Sequence, residues 1–123
     1  MKRLWLVLLL TACGGRAADH ERLADAAYGR AEYPAALQEY RAAAKLSQSA
    51  RVSAKLGAAA LKAGEIREAA EAYRQLAAQD RSRADEAATG LELVAKAAQA
   101  SSMKANPVTL SAAELSEVLQ AAL

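Results

Sequence analysis

The stretch ARVSAKLGAAALKAGEIREAAEAYRQLAAQ, residues 50–79, decides the fold. Its first half, Ala50 to Ala63, is built mostly of alanine, leucine, lysine and arginine, which lose little freedom in a helix. Ser49 stands before it as an N-cap candidate, because a serine hydroxyl accepts from the free N–H groups of a first turn. Gly64 follows it at the position where helices end in the left-handed region, which glycine enters without steric cost. A second helix, Ile66 to Gln79, then runs up to the turn residues Asp80-Arg81-Ser82. Two helices with so short a connection form an antiparallel hairpin.

Working upstream, the same features return 33 residues earlier. Leu23 recurs as Leu56, Ala26 and Ala27 as Ala59 and Ala60, and Glu32 as Glu65. Tyr33 is matched by Ile66, Ala36 by Ala69, and Tyr40-Arg41 by Tyr73-Arg74. Asp19 caps a first helix that runs to about Arg30. Pro34 opens a second, where its missing N–H costs nothing, and that helix runs to about Leu46. Ser47-Gln48-Ser49 turns the chain. Downstream, a fifth helix covers about Arg83 to Ala100. Ser101 to Thr109, with Asn106-Pro107, reads as a loop. Ser111-Ala112-Ala113-Glu114 is a capping box that opens a last helix. The 35 alanines, two prolines and absence of strand-like alternation make the chain all-α. Alanine faces bury little area per contact, so such helices must pack closely.

A hairpin recurring at this period resembles the tetratricopeptide repeat, whose unit is about 34 residues. The residues that carry the resemblance are Leu23-Ala24 and Leu56-Gly57, the small residues Ala27 and Ala60, then Tyr33 or Ile66, Ala36 or Ala69, and Tyr40 or Tyr73. The proline that usually closes the second helix is absent; Gln48 and Arg81 stand near its place. The resemblance implies antiparallel hairpins stacked in a short right-handed solenoid over residues 19–100. Two repeats cover about 18–46 and 50–79, and a partial third covers 82–100. Residues 101–123, with Leu115, Val118 and Leu119 as an apolar stripe, would form a loop and a C-terminal capping helix.

The amino terminus carries a different signal. Met1-Lys2-Arg3, the apolar run Leu4 to Leu10, and Thr11-Ala12-Cys13 have the order of a secretory signal. The run is far too short to span a bilayer, which takes roughly 20 apolar residues. Leu10-Thr11-Ala12-Cys13 resembles the bacterial lipoprotein cleavage box. That resemblance implies a signal peptide over residues 1–12, a diacylglyceryl group on the Cys13 sulfur, in many bacteria an acylated amino terminus as well, and a tether over residues 13–18. Two or three acyl chains make a durable anchor where one does not. Cys13 is the only cysteine, so no intramolecular disulfide exists. Gly14 in place of an aspartate points, by the same resemblance, to the outer membrane, periplasmic face.

Removing Lys2 and Arg3 takes the formal net charge from +2 to 0. A nucleic-acid partner loses its support, since phosphate binding needs a surplus of basic charge. No set of residues points to an enzyme. His20 has no second histidine or free cysteine to build a metal site, the serines sit mostly in turns and caps, and the glycines form no phosphate loop. No cofactor or small-molecule substrate is indicated beyond the lipid on Cys13. By analogy with the repeat family, a partner-binding groove would take Arg22 and Tyr28 from the first repeat and Arg51, Lys55, Leu61 and Lys62 from the second. Its bases would receive an acidic segment or a carboxylate. The chain therefore reads as a membrane-anchored scaffold for envelope proteins. The alternative is a pilotin-like chaperone or assembly factor for an outer-membrane pore, pilus or secretion complex.

Overall fold

The computed structural model describes residues 2–105 and Gln120, with side-chain surroundings for residues 15–103 and Gln120. The expected C-terminal capping helix and the Ser111 capping box lie outside these residues. Five α-helices follow one another: α1 (Lys2–Gly29), α2 (Tyr33–Leu46), α3 (Ala50–Ala63), α4 (Ile66–Gln79) and α5 (Ala84–Ala105), with a 3-10 turn at Arg81–Arg83 before α5. Each helix packs on the next, and α3 also meets α5. The protein is all-α, a succession of helical hairpins, and no strand occurs among the described residues.

Local chemistry sets the ends. The Ser49 hydroxyl accepts from the Val52 N–H at 3.2 Å, and Gly64 takes φ 83°. Pro34 sits in the first turn of α2. The hairpins repeat in backbone as well as in sequence. The Glu32 N–H donates to the Ala27 carbonyl at 2.9 Å and Glu65 to Ala60 at 2.8 Å; Ser47 donates to Ala43 at 2.9 Å and Asp80 to Leu76 at 3.0 Å. Each pair is offset by 33 residues. The equivalent of Gly64 is Ala31, and it too is left-handed, at φ 59°.

The core is mostly alanine, filled by a few large side chains. Ala24, Ala36, Ala43, Ala59, Ala60 and Ala69 are fully buried, and Leu76 and Leu91 are the largest side chains wholly out of water. Small residues bring the helix axes together, and the larger ones fill the remaining gaps. Tyr73 shows how tight this is. A Cβ at Gly57 would stand 2.9 Å from its ring, and one at Gly90 would overlap the ring from the other side. The ring is a wedge between α3 and α5, and it presses harder on Gly90 than on Gly57.

Three sequence expectations change. The helix expected to start at Asp19 is continuous from Lys2, so residues 13–18 are helical where a flexible tether was expected. Ala17 is buried there, and the Asp19 carboxylate accepts from Arg22 one turn on instead of capping. Residues 101–105 extend α5 instead of opening a loop, since no helix breaker occurs before Asn106-Pro107. Leu23, the sequence equivalent of buried Leu56, is 57% exposed; its neighbour Ala24 faces the core at 0%. Among the described residues no helix is long and apolar enough to cross a membrane.

Candidate functional site

The first helices of successive hairpins, α1, α3 and α5, line one side of the stack. They leave an open cleft of about 490 Å³ there. Its apolar surface comes from Tyr28, Ala54 and Ala58, and its polar rim from Asp25, Arg51, Lys55, Arg83 and Glu86, with Tyr40 reaching in from α2. Helical spacing explains the grouping. Arg51, Ala54, Lys55 and Ala58 recur every three or four residues and so share one face of α3.

A charge network ties α1 to α3 beside this cleft. Arg51 grips the Glu21 carboxylate with two hydrogen bonds, at 2.8 and 2.9 Å. Lys55 donates to Glu21 at 2.8 Å and to Asp25 at 2.9 Å. The Tyr40 hydroxyl donates to Asp25 at 2.5 Å. Glu21 is 8% exposed, which alone would raise its pKa. The hydrogen bonds from Arg51 and then Lys55 outweigh burial and hold it at about 2. Burial pulls the Lys55 pKa down, but its bonds to Glu21 and Asp25 carry it above the usual value. Burial and then the Asp25 hydrogen bond raise the Tyr40 phenol.

Of the residues expected in the groove, Tyr28, Arg51 and Lys55 come together at the cleft. Arg22 does not line it; the residue is exposed and pairs with Asp19. Leu61 packs against the core. Lys62 is exposed in the last turn of α3, away from the cleft lining. The two cleft bases expected to receive an acidic partner are engaged by Glu21 and Asp25. Arg83 is likewise paired with Glu86, at 2.8 and 2.9 Å.

Three features of the site were not foreseen: the Tyr40–Asp25 bond, the Arg83–Glu86 pair and the closure of the Glu21 network. A signal for the network was present, because Glu21 and Asp25 are four apart, Arg51 and Lys55 are four apart, and each pair shares a helix face. His20, which the sequence left without partners for a metal site, is half-buried with its Nδ1 2.6 Å from Glu39 on α2. Among the described residues no cluster of histidine, cysteine or carboxylates could hold a metal ion. No family model matches the sequence, and no curated protein or solved structure matches it significantly.

Proposed function

We propose that this chain is a lipid-anchored interaction scaffold of the bacterial cell envelope, with tetratricopeptide-like hairpins that hold a segment of a partner protein in the α1–α3–α5 cleft. The observation that carries this reading is the cleft itself. It is open, partly apolar and built on rigid helices, and its charges are matched within the fold. Three acids (Glu21, Asp25, Glu86) stand against three bases (Arg51, Lys55, Arg83). A surface so balanced offers little net attraction to an acidic segment. It suits an uncharged segment that buries apolar side chains against Tyr28, Ala54 and Ala58 and bonds its backbone to the polar rim. Anchoring through Cys13 raises the scaffold's effective concentration for a partner in the same thin layer.

A photo-crosslinking residue at Ala58 tests the cleft. It should trap a discrete envelope protein in intact cells, and the adduct should vanish when Ala54→Arg fills the cleft. The same residue at Glu71, exposed on α4, should trap none. Identical adducts from both positions would refute the cleft as the binding surface. Cys13→Ser should move the protein out of the membrane fraction; unchanged sedimentation would refute the anchor.

A further inference from the structure

In each of the first two hairpins, residues at nearly equal distances from the turn face each other. Gly57 lies against the Tyr73 ring, and the two stand eight positions either side of Glu65. Ser53 and Gln79, twelve positions before Glu65 and fourteen after it, share a hydrogen bond of 2.7 Å. Asp25 and Tyr40 are bonded from seven and eight positions either side of Glu32.

The helix α5 is a first helix with no second one after it among the described residues. It is 22 residues long against 14 for α3. Among the described residues Leu23, Leu46, Leu93 and Met103 are the exposed large apolar side chains, and the last two lie on α5, at 47% and 80%. With half-buried Ala97 and exposed Ala100 they recur every three or four residues and form one stripe. From Leu93 to Ala105 this helix carries Lys96 and Lys104 and no acid. The acid just upstream, Glu92, is exposed and makes no ion pair with Lys96.

The sequence that follows carries the complement. Leu115, Val118 and Leu119 fall on one helix face, with Ala112 and Ala122 three positions beyond them at either end. From Ser111 to Ala122 the charged residues are Glu114 and Glu117.

We propose that residues 111–122 return along α5 and dock on its Leu93–Met103 stripe as the second helix of a third hairpin. Residues 106–110 connect the two, a common length between antiparallel helices. The register of the first two hairpins then pairs positions equally distant from Pro107-Val108: Leu93 with Ala122, Ala97 with Val118, Ala100 with Leu115, and Met103 with Ala112. Every pair sets a larger side chain against an alanine, the alternation that lets facing helices interdigitate. The same register brings Glu117 level with Ala98, two positions from Lys96, and Glu114 level with Ser101, three positions from Lys104. Each acid is thus within one turn of a lysine. A second copy of the chain would reach this stripe only from solution, whereas so short a connection holds the segment at an effective concentration on the order of millimolar. The proposal is independent of the anchor and of the cleft.

Full-length protein carrying Cys13→Ser has no native thiol, so two engineered cysteines report the docking. Under mild oxidation Ala97→Cys with Val118→Cys should close a disulfide within one chain. The pair Ala95→Cys with Val118→Cys, which starts from the opposite face of α5, should close at least tenfold more slowly. Amide exchange over residues 112–122 should be slowed more than tenfold relative to an unstructured chain. Ala100→Glu, a change at an exposed position, should abolish that protection and leave α1 to α4 unchanged. Closure at equal rates, or faster from position 95, would overturn the seat. So would a disulfide formed only between chains, which would give the stripe to a second copy, or protection that is absent or survives Ala100→Glu.

Discussion

The first and second hairpins share a backbone and use it differently. At the matched turns three pairs of hydrogen bonds agree to within 0.1 Å, while the Ala31–Tyr28 bond, at 3.0 Å, is shorter than its Gly64–Leu61 counterpart, at 3.3 Å; Glu32 and Glu65 enter their helices at nearly the same angles, φ −84° in both. Yet Ala31 stands where the second hairpin has Gly64, and Ala24 where it has Gly57. Tyr40 and Tyr73 occupy one repeat position and are both buried. Tyr40 is held by a polar bond to Asp25, whose equivalent is Ala58. Tyr73 has no hydrogen bond among the described residues and is held by shape, between Gly57 and Gly90. A repeat conserves the place of a large ring and leaves the means of holding it open.

Truncating the wedge should have the largest effect. Tyr73→Ala empties a core position and should cost about 4 kcal/mol, read as a fall in the urea midpoint. The comparison sharpens with phenylalanine. Tyr73→Phe should be nearly silent, whereas Tyr40→Phe should cost about 1 kcal/mol for its bond to Asp25. Equal losses for the two phenylalanine variants would erase the distinction between a polar tie and a steric one.

The Glu21 network ties the first hairpin to the second, so it tests their interface. Glu21→Gln should cost about 2 kcal/mol at neutral pH, since it weakens charge-assisted bonds in a mostly buried place. The pKa of the Glu21 carboxyl is lowered from its ordinary value of 4.5, that of the unfolded chain, to about 2 in the fold. Its contribution is therefore present above pH 4.5 and lost as pH falls from 4.5 toward 2. Urea midpoints measured across that window should converge for wild type and Glu21→Gln. A constant gap down to pH 2 would show that the carboxylate's charge is not what matters.

Glycine contacts give a smaller and signed effect. Alanine in a helix gains about 1 kcal/mol over glycine, and overpacking costs roughly 1–3 kcal/mol. At Gly90, where the added Cβ would overlap the Tyr73 ring, the loss wins and Gly90→Ala should destabilise by about 1–2 kcal/mol. At Gly57 the contact is 2.9 Å and the two effects should nearly cancel. Reversal of this order in denaturation would show that the ring leans on α3 and not on α5.

The smallest effect is a gain. Ala31 at φ 59° carries a left-handed penalty of about 1–2 kcal/mol. Glycine there removes it but loses about 0.5–1 kcal/mol through its freer unfolded chain. Ala31→Gly should stabilise by about 0.5 kcal/mol in thermal unfolding, and Gly64→Ala should destabilise by about the same amount. A loss on Ala31→Gly would mean that the two turns are not equivalent.

Helix positions were legible because their signals are local. Ser49 caps within three residues, Gly64 ends a helix by its own freedom, and Pro34 marks a start by what it lacks. The 33-residue recurrence of Tyr40 and Tyr73 disclosed the hairpins. Where local signals misled, a neighbour decided. Asp19 looked like a cap, but Ala17 is buried, the helix runs back past it, and the carboxylate bonds Arg22. Leu23 recurs as Leu56, but in the first hairpin it is exposed and Ala24 faces the core.

The sequence alone determined that the chain is helical, where its hairpins turn, and at what period they repeat, since each depends on residues within a few positions of one another. Only the tertiary structure decided which charges are free. Arg51 and Lys55 read as open bases until Glu21 and Asp25, some thirty residues away, are seen to face them. Ion pairs and ring wedges depend on distances across helices, which close-packing sets and which no local pattern encodes.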